Sequence, residues 1–165
     1  MTIQNEQGRT MLEMLGVIAI IGIITYGAIA GIGYGMQTYK VNQTYNDVQD
    51  IIQGVEDLYS WSRAGYPARI TQAVVKNNIF SGDPVGNCED GAAPNDCKLA
   101  GQFGNIWVQQ GYFGDNNPST FTVFLTITDE DIKDRLESLN WDTLNIVHDC
   151  GEQNAGSYTC MFSPK

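Results

Sequence analysis

Few side chains in this 165-residue chain are of types that run chemistry, and their spacing points to crosslinks before catalysis. There is one histidine, His148, set beside Asp149 and Cys150. With a single imidazole, Ser-His-Asp, Cys-His and multi-histidine metal schemes lack their parts, so no enzyme is expected and His148 is assigned to the surface or a strand end. The four cysteines, Cys88, Cys97, Cys150 and Cys160, form an even set with no Cys-x-x-Cys pair. Gaps this wide do not fit the usual zinc fingers, so disulfides are expected in place of a metal. Local pairing, Cys88–Cys97 and Cys150–Cys160, would close two loops rich in Gly, Asn and Asp. A ring of this size stabilises by roughly 2–4 kcal/mol in the chain-entropy model. Four cysteines allow three connectivities, and the crossed ones stay open at this stage. Two acidic groups, Asp129-Glu130-Asp131 and Asp115-Asn116-Asn117, lack the spacing of a calcium loop. No metal or other cofactor is expected.

The elements that must position these residues begin with an apolar run. From Met14 to Met36 there are 23 residues without one charge. As a helix they span about 34 Å, enough for a hydrocarbon core of about 30 Å. The run is too long for a cleavable secretory signal of roughly 7–15 apolar residues, and MTIQNEQG before it has no Lys or Arg. From Gln37 to Arg63 the chain has no Pro and one Gly. Val41, Tyr45, Val48, Ile52, Val55 and Tyr59 recur there by threes and fours, and Ile51 and Leu58 widen the stripe. The pattern predicts one helix from near Arg9 to near Arg63, half lipid-soluble and half amphipathic, ended by Gly65 and Pro67.

Beyond Gly65 a small head is expected. Ile70–Phe80 has the spacing of a short helix, and Ser81–Gly101 reads as a loop. Asn105–Gln110 and Phe121–Thr128 read as strands, the second rich in β-branched and aromatic residues. Thr128 then opens TDEDIKDRLESL, a hydroxyl ahead of three acids, which predicts a helix over about Asp129–Leu139. Leu144–Val147 and Tyr158–Phe162 are the last strand candidates, and Trp61, Trp107 and Trp141 are assigned to core or sheet packing. The sum is an α+β fold, a long helix against a small antiparallel sheet. Nineteen acidic against nine basic side chains give a formal charge of −10, which disfavours contact with nucleic acid phosphates.

One motif lies where the polar leader meets the apolar run: Gly8-Arg9-Thr10-Met11-Leu12-Glu13-Met14-Leu15-Gly16. It closely resembles the processing site of type IV prepilins and pseudopilins. The resemblance implies that a prepilin peptidase removes residues 1–8, cutting between Gly8 and Arg9, and that the same enzyme methylates the new amino terminus at Arg9. Residues 9–36 would then form a transmembrane and filament-core helix, 37–64 its amphipathic continuation and 65–165 a disulfide-stapled globular head. Glu13, the fifth residue after the cut, would meet the charged amino terminus of a neighbouring subunit. A carboxylate at the edge of hydrocarbon is costly unless paired, so this contact would also set axial register.

Gly27, Gly31 and Gly35 form a row four residues apart, which lets helices approach closely. Within the head, LAGQFGNIWV at Leu99–Val108 and FTVFLTITDEDIKDRL after it are similar in layout to type IVb pilins. In those, the region bounded by the Cys150–Cys160 counterpart is displayed outward. Asp83-Pro84-Val85-Gly86-Asn87 faintly resembles a run in major pseudopilins of type II secretion, but lacks its Trp. The leader departs from the family in carrying Glu6 and no basic residue, and Arg9 stands where Phe or Met is usual. Arg9 is expected to hold the amino end cytoplasmic instead. The expected partners are further copies in a helical filament, the peptidase-methyltransferase and the inner-membrane assembly machinery. The expected location is the bacterial inner membrane, head in the periplasm, and then a cell-surface or periplasmic filament. A pseudopilin and an unrelated membrane-tethered binding domain are the competing readings.

Overall fold

The computed structural model describes residues 6–89, 93, 96–113, 115, 117–154 and 156–165, with their side chains from residue 11 onward except that of Asn154. Helix α1 spans Glu6–Tyr59 without a break. Its described part already includes Glu6, three residues ahead of the expected Arg9. It ends short of Arg63: the Ser62 N–H closes a turn onto the Tyr59 carbonyl at 2.8 Å. After Tyr59 no apolar side chain continues the buried stripe, and Trp61, assigned to packing, is 92% exposed. Gly65, with φ near +78°, makes the following bend. A side chain there would fall onto the Pro118 carbonyl oxygen, so the bend requires glycine.

The chain divides into two compact units, residues 1–39 and 40–165. The first holds only helix. The second holds the last five turns of α1, helix α2 (Ile70–Lys76), helix α3 (Glu130–Glu137), a short 3₁₀ turn at Trp141–Leu144 and one six-stranded sheet. The strands are β1 (Pro84–Gly86), β2 (Cys97–Ala100), β3 (Asn105–Gln110), β4 (Phe121–Ile127), β5 (Ile146–Asn154) and β6 (Ser157–Pro164). Their spatial order is β1-β2-β3-β4-β6-β5, antiparallel throughout. This is the α+β layout expected, a long N-terminal helix packed on a small antiparallel sheet.

The core lies between the sheet and the helices. Val41, Val48, Ile51, Ile52 and Val55 supply the α1 stripe, all at most 4% exposed. Leu58, placed on that stripe by spacing, is exposed. From the sheet come Ile106, Val108, Phe121, Val123, Leu125 and Phe162. Trp141 closes the far end, packed on Tyr45 and Phe162 at ring-centre distances of 4.6 and 4.5 Å. Its indole N–H donates to the Leu136 carbonyl at 2.8 Å. On the opposite sheet face Trp107 stacks on its cross-strand partner Phe124, and the Lys98 ammonium lies 5.1 Å from the Trp107 ring centre.

Four further sequence expectations change. Ser81–Gly101, expected as loop, contains β1 and β2. The α2 helix stops at Lys76, short of Phe80, because Asn78 takes a left-handed conformation. Asp129, not Thr128, caps α3, its carboxylate accepting from the Asp131 and Ile132 N–H groups. His148 stands inside β5, half-buried with its ring 5.9 Å from Trp141, because the strand runs on to Asn154.

Candidate functional site: an exposed apolar helix

Residues 11–39 are exposed without exception. Met11, Leu12, Ile23, Tyr26 and Tyr39 each show more than two thirds of their surface. The change is abrupt: Tyr39 is 69% exposed and Val41 is 4%. This part of α1 is long and apolar enough to cross a membrane. No charged side chain lies between Glu13 and Lys40. A surface so large and so apolar marks contact with lipid or with other protein. The Gly8–Arg9 bond lies within the first turns of α1, and the side chains there fall outside the described residues. Glu13 lies about a turn further on, exposed at the start of the apolar stretch.

The glycines separate into two kinds. In the head, Cβ atoms on Gly54, Gly65 or Gly104 would collide with Ile79, Pro118 or Thr126. Those glycines are needed by the chain's own packing. Cβ atoms on Gly27, Gly31 or Gly35 would meet nothing within 4 Å. Each of these costs about 1 kcal/mol of helix stability relative to Ala. Nothing within the described chain repays that cost, whereas close approach of a second helix would.

The remaining candidate residues have structural roles. Cys88 bonds Cys97 and Cys150 bonds Cys160, so the pairing is local and no free thiol remains. Cys150 and Cys160 are direct cross-strand partners in the β5–β6 ladder. Cys88–Cys97 ties the segment after β1 to β2. The Asp129 carboxylate is engaged as a helix cap, and Asp115 accepts from the Tyr112 and Asn117 N–H groups at 2.7 and 3.0 Å. Asn116 lies outside the described residues.

Within the head, a groove of about 160 Å³ is lined by Gln49, Ile52, Gln53 and Glu56 of α1 with Leu144–Ile146, Pro164 and Lys165. Burial and the neighbouring Asp57 raise the Glu56 carboxyl above its usual range. Burial and Asp50 do the same to Asp47. Burial raises the Tyr59 phenol, and burial with Glu56 raises that of Tyr66. The Lys165 ammonium pairs with Asp142 at 2.8 Å.

Two polar residues inside the apolar stretch escaped the sequence reading. Thr25 donates its hydroxyl proton to the Ile21 carbonyl at 2.8 Å, while the Tyr26 ring is 79% exposed. The signal available was a Thr-Tyr pair in the middle of a run that is otherwise aliphatic and small except for Tyr34 near its end. Comparison with known proteins adds no name: no family model, no curated protein and no solved structure matches the chain.

Proposed function

We propose that this chain is a structural subunit of a type IV pilus-like filament, made as a precursor, cut between Gly8 and Arg9 and held in the inner membrane by α1 until assembly. One observation carries the reading: the helix that carries the Gly8/Glu13 motif is exposed on every side from residue 11 through residue 39 and then enters a disulfide-stapled core. A subunit stored in lipid and assembled through helix–helix contact needs such a surface, because lipid and neighbouring helices can cover it in turn.

The roles follow from position. Methylated Arg9 would form the mature amino terminus. Glu13 would neutralise the terminus of an adjacent subunit, since a carboxylate at the edge of hydrocarbon needs a cationic partner. The Gly27–Gly31–Gly35 row would admit a neighbour's helix. The head would face the periplasm, then the filament exterior, as a binding and shielding surface without catalysis.

Intact mass and amino-terminal sequencing of the chain from membranes or sheared filaments of its native host test this directly. The expected product begins at Arg9, carries one methyl group and lacks the four hydrogens lost to two disulfides. A chain still beginning at Met1, or cut after Ala30, would leave a tethered or secreted binding domain instead. Abundance in sheared surface filaments separates a pilus subunit from a short periplasmic secretion filament.

A further inference from the structure

The Gly27–Gly31–Gly35 row occupies one face of α1, and the opposite face carries a different set of residues. At about 100° per residue, Gly22 and Gly33 lie within about 20° of each other and roughly opposite Gly31. Cβ atoms on Gly22 and Gly33 would also meet open space. Tyr26 sits about 40° to one side of Gly22, and Thr25 about 60° to the other.

The two hydroxyls are complementary. Thr25 has committed its proton to the Ile21 carbonyl, which leaves the lone pairs of Oγ1 able to accept. The Tyr26 phenol has a proton to donate and finds no acceptor among the described residues. Its depth makes this consequential. Tyr26 lies thirteen residues after Glu13 and fourteen before Lys40. It is therefore about 20 Å from either flanking charge, at the middle of the span. From there a phenol cannot snorkel to an interface, and an unpaired hydroxyl in hydrocarbon is penalised.

We propose that Tyr26 donates to Thr25 Oγ1 of a second copy of this chain, in a parallel helix pair packed through Gly22 and Gly33. The inference deepens the membrane-anchor part of the proposed function and rests on it. A second copy is the occupant the geometry selects. Identical chains insert with the same orientation, so Thr25 of one copy lies within about 1.5 Å of the depth of Tyr26 of the other. A two-fold axis parallel to the helices sets the Tyr26 side of each against the Thr25 side of its mate, so both hydrogen bonds form at once. Glycine at the crossing lets the backbones come close enough for a phenol to span the gap. Each helix then has two contact faces, one of bare glycine and one with polar pins that fix rotation and register.

The test uses the full chain, labelled on the head with donor or acceptor dyes and reconstituted in phosphatidylcholine bilayers. Energy transfer is followed as the protein-to-lipid ratio changes. Tyr26→Phe and Thr25→Val, which keep ring and shape, are each expected to weaken self-association by about three- to tenfold. The double variant is expected to be no weaker than either single, because the two residues share the same bonds. A parent that stays monomeric, single variants that associate as well as the parent, or losses that multiply in the double variant would each overturn the pairing. Amino-terminal processing is read separately: pairing without cleavage at Gly8 removes the filament reading alone, and cleavage without pairing removes this one alone.

Discussion

At the residue scale, two side chains on the head portion of α1 sit at odds with their surroundings, and each gives a measurable consequence. Thr44 is fully buried and its hydroxyl has no hydrogen-bond partner. A buried polar group left unpaired destabilises by about 1–3 kcal/mol, and valine fills nearly the same space. Thr44→Val is therefore expected to raise the unfolding free energy of the full chain in detergent by about 1 kcal/mol, read from a denaturant titration. A loss of stability would mean that the hydroxyl is satisfied after all. Asp47 is the second. Its carboxyl is raised above 3.8 by burial and by Asp50, so the folded chain binds this proton more tightly than the unfolded chain does. The resulting penalty is complete above the raised pKa and disappears as pH falls below 3.8, so this group makes the head more stable on acidification through that window. Half-exposure keeps the effect under about 1 kcal/mol. Asp47→Asn is expected to raise the melting temperature at pH 7 and leave it unchanged near pH 3.5. An equal gain at both pH values would assign the effect to something other than ionisation.

At the scale of elements, the parts differ in how much holds them. β1 is three residues long, exposed, at the sheet edge and paired only with β2. β6 is paired on both sides and runs eight residues. The two disulfides close rings of similar size, with separations of 9 and 10, so loop entropy alone would make their losses alike. The ladders make them unlike. Without Cys150–Cys160 the β5–β6 ladder still holds those strands in register. Without Cys88–Cys97, β1 keeps only its pairing with β2. Hydrogen exchange after mild reduction is expected to speed first at Val85, Gly86 and residues 97–99, with residues 121–127 and 158–163 still protected. Uniform loss of protection would show instead that β1 and the β4–β6 ladder open together.

The same contrast explains what the sequence disclosed. Asn105–Gln110 was legible because its ends are marked by Gly104 and Gly111. Phe121–Ile127 was legible because β-branched and aromatic residues fill it. β1 and β2 were hidden, since Pro84–Gly86 and Cys97–Ala100 are too short to alternate and pair across a segment marked by Asn, Asp and Pro. β5 was read only to Val147, because Asp149, Gly151 and Glu152 erase the apolar pattern. Its extension comes from the β6 ladder, a tertiary effect that no local pattern carries. On the apolar helix, the glycine row and Glu13 were visible as spacing. The Thr25–Tyr26 pair was not, because its meaning depends on which hydroxyl is already satisfied, and that is a property of the folded helix.

At the scale of the whole molecule, the division at residues 39 and 40 does not follow the element boundaries: one helix belongs to both compact units. A boundary drawn where the helix ends, near Gly65, would leave the head without Val41, Val48, Ile51, Ile52 and Val55. Each buried aliphatic side chain contributes about 1.5–3 kcal/mol, so removing five forfeits about 8–15 kcal/mol. That is comparable to the whole stability of a typical domain, and it leaves the inner sheet face, with Ile106, Val123 and Leu125, open to water. The chain 40–165 keeps those five side chains and both disulfides while losing only the exposed apolar helix. Exported to an oxidising compartment, it is expected to be soluble, to elute as a compact species and to unfold in one cooperative transition. The chain 65–165 is expected to aggregate or to melt without a transition. If 65–165 instead folds cooperatively, the α1 stripe merely covers a head that stands without it. If 40–165 fails while the full chain is folded in lipid, the apolar half of α1 supports the head as well as anchoring it.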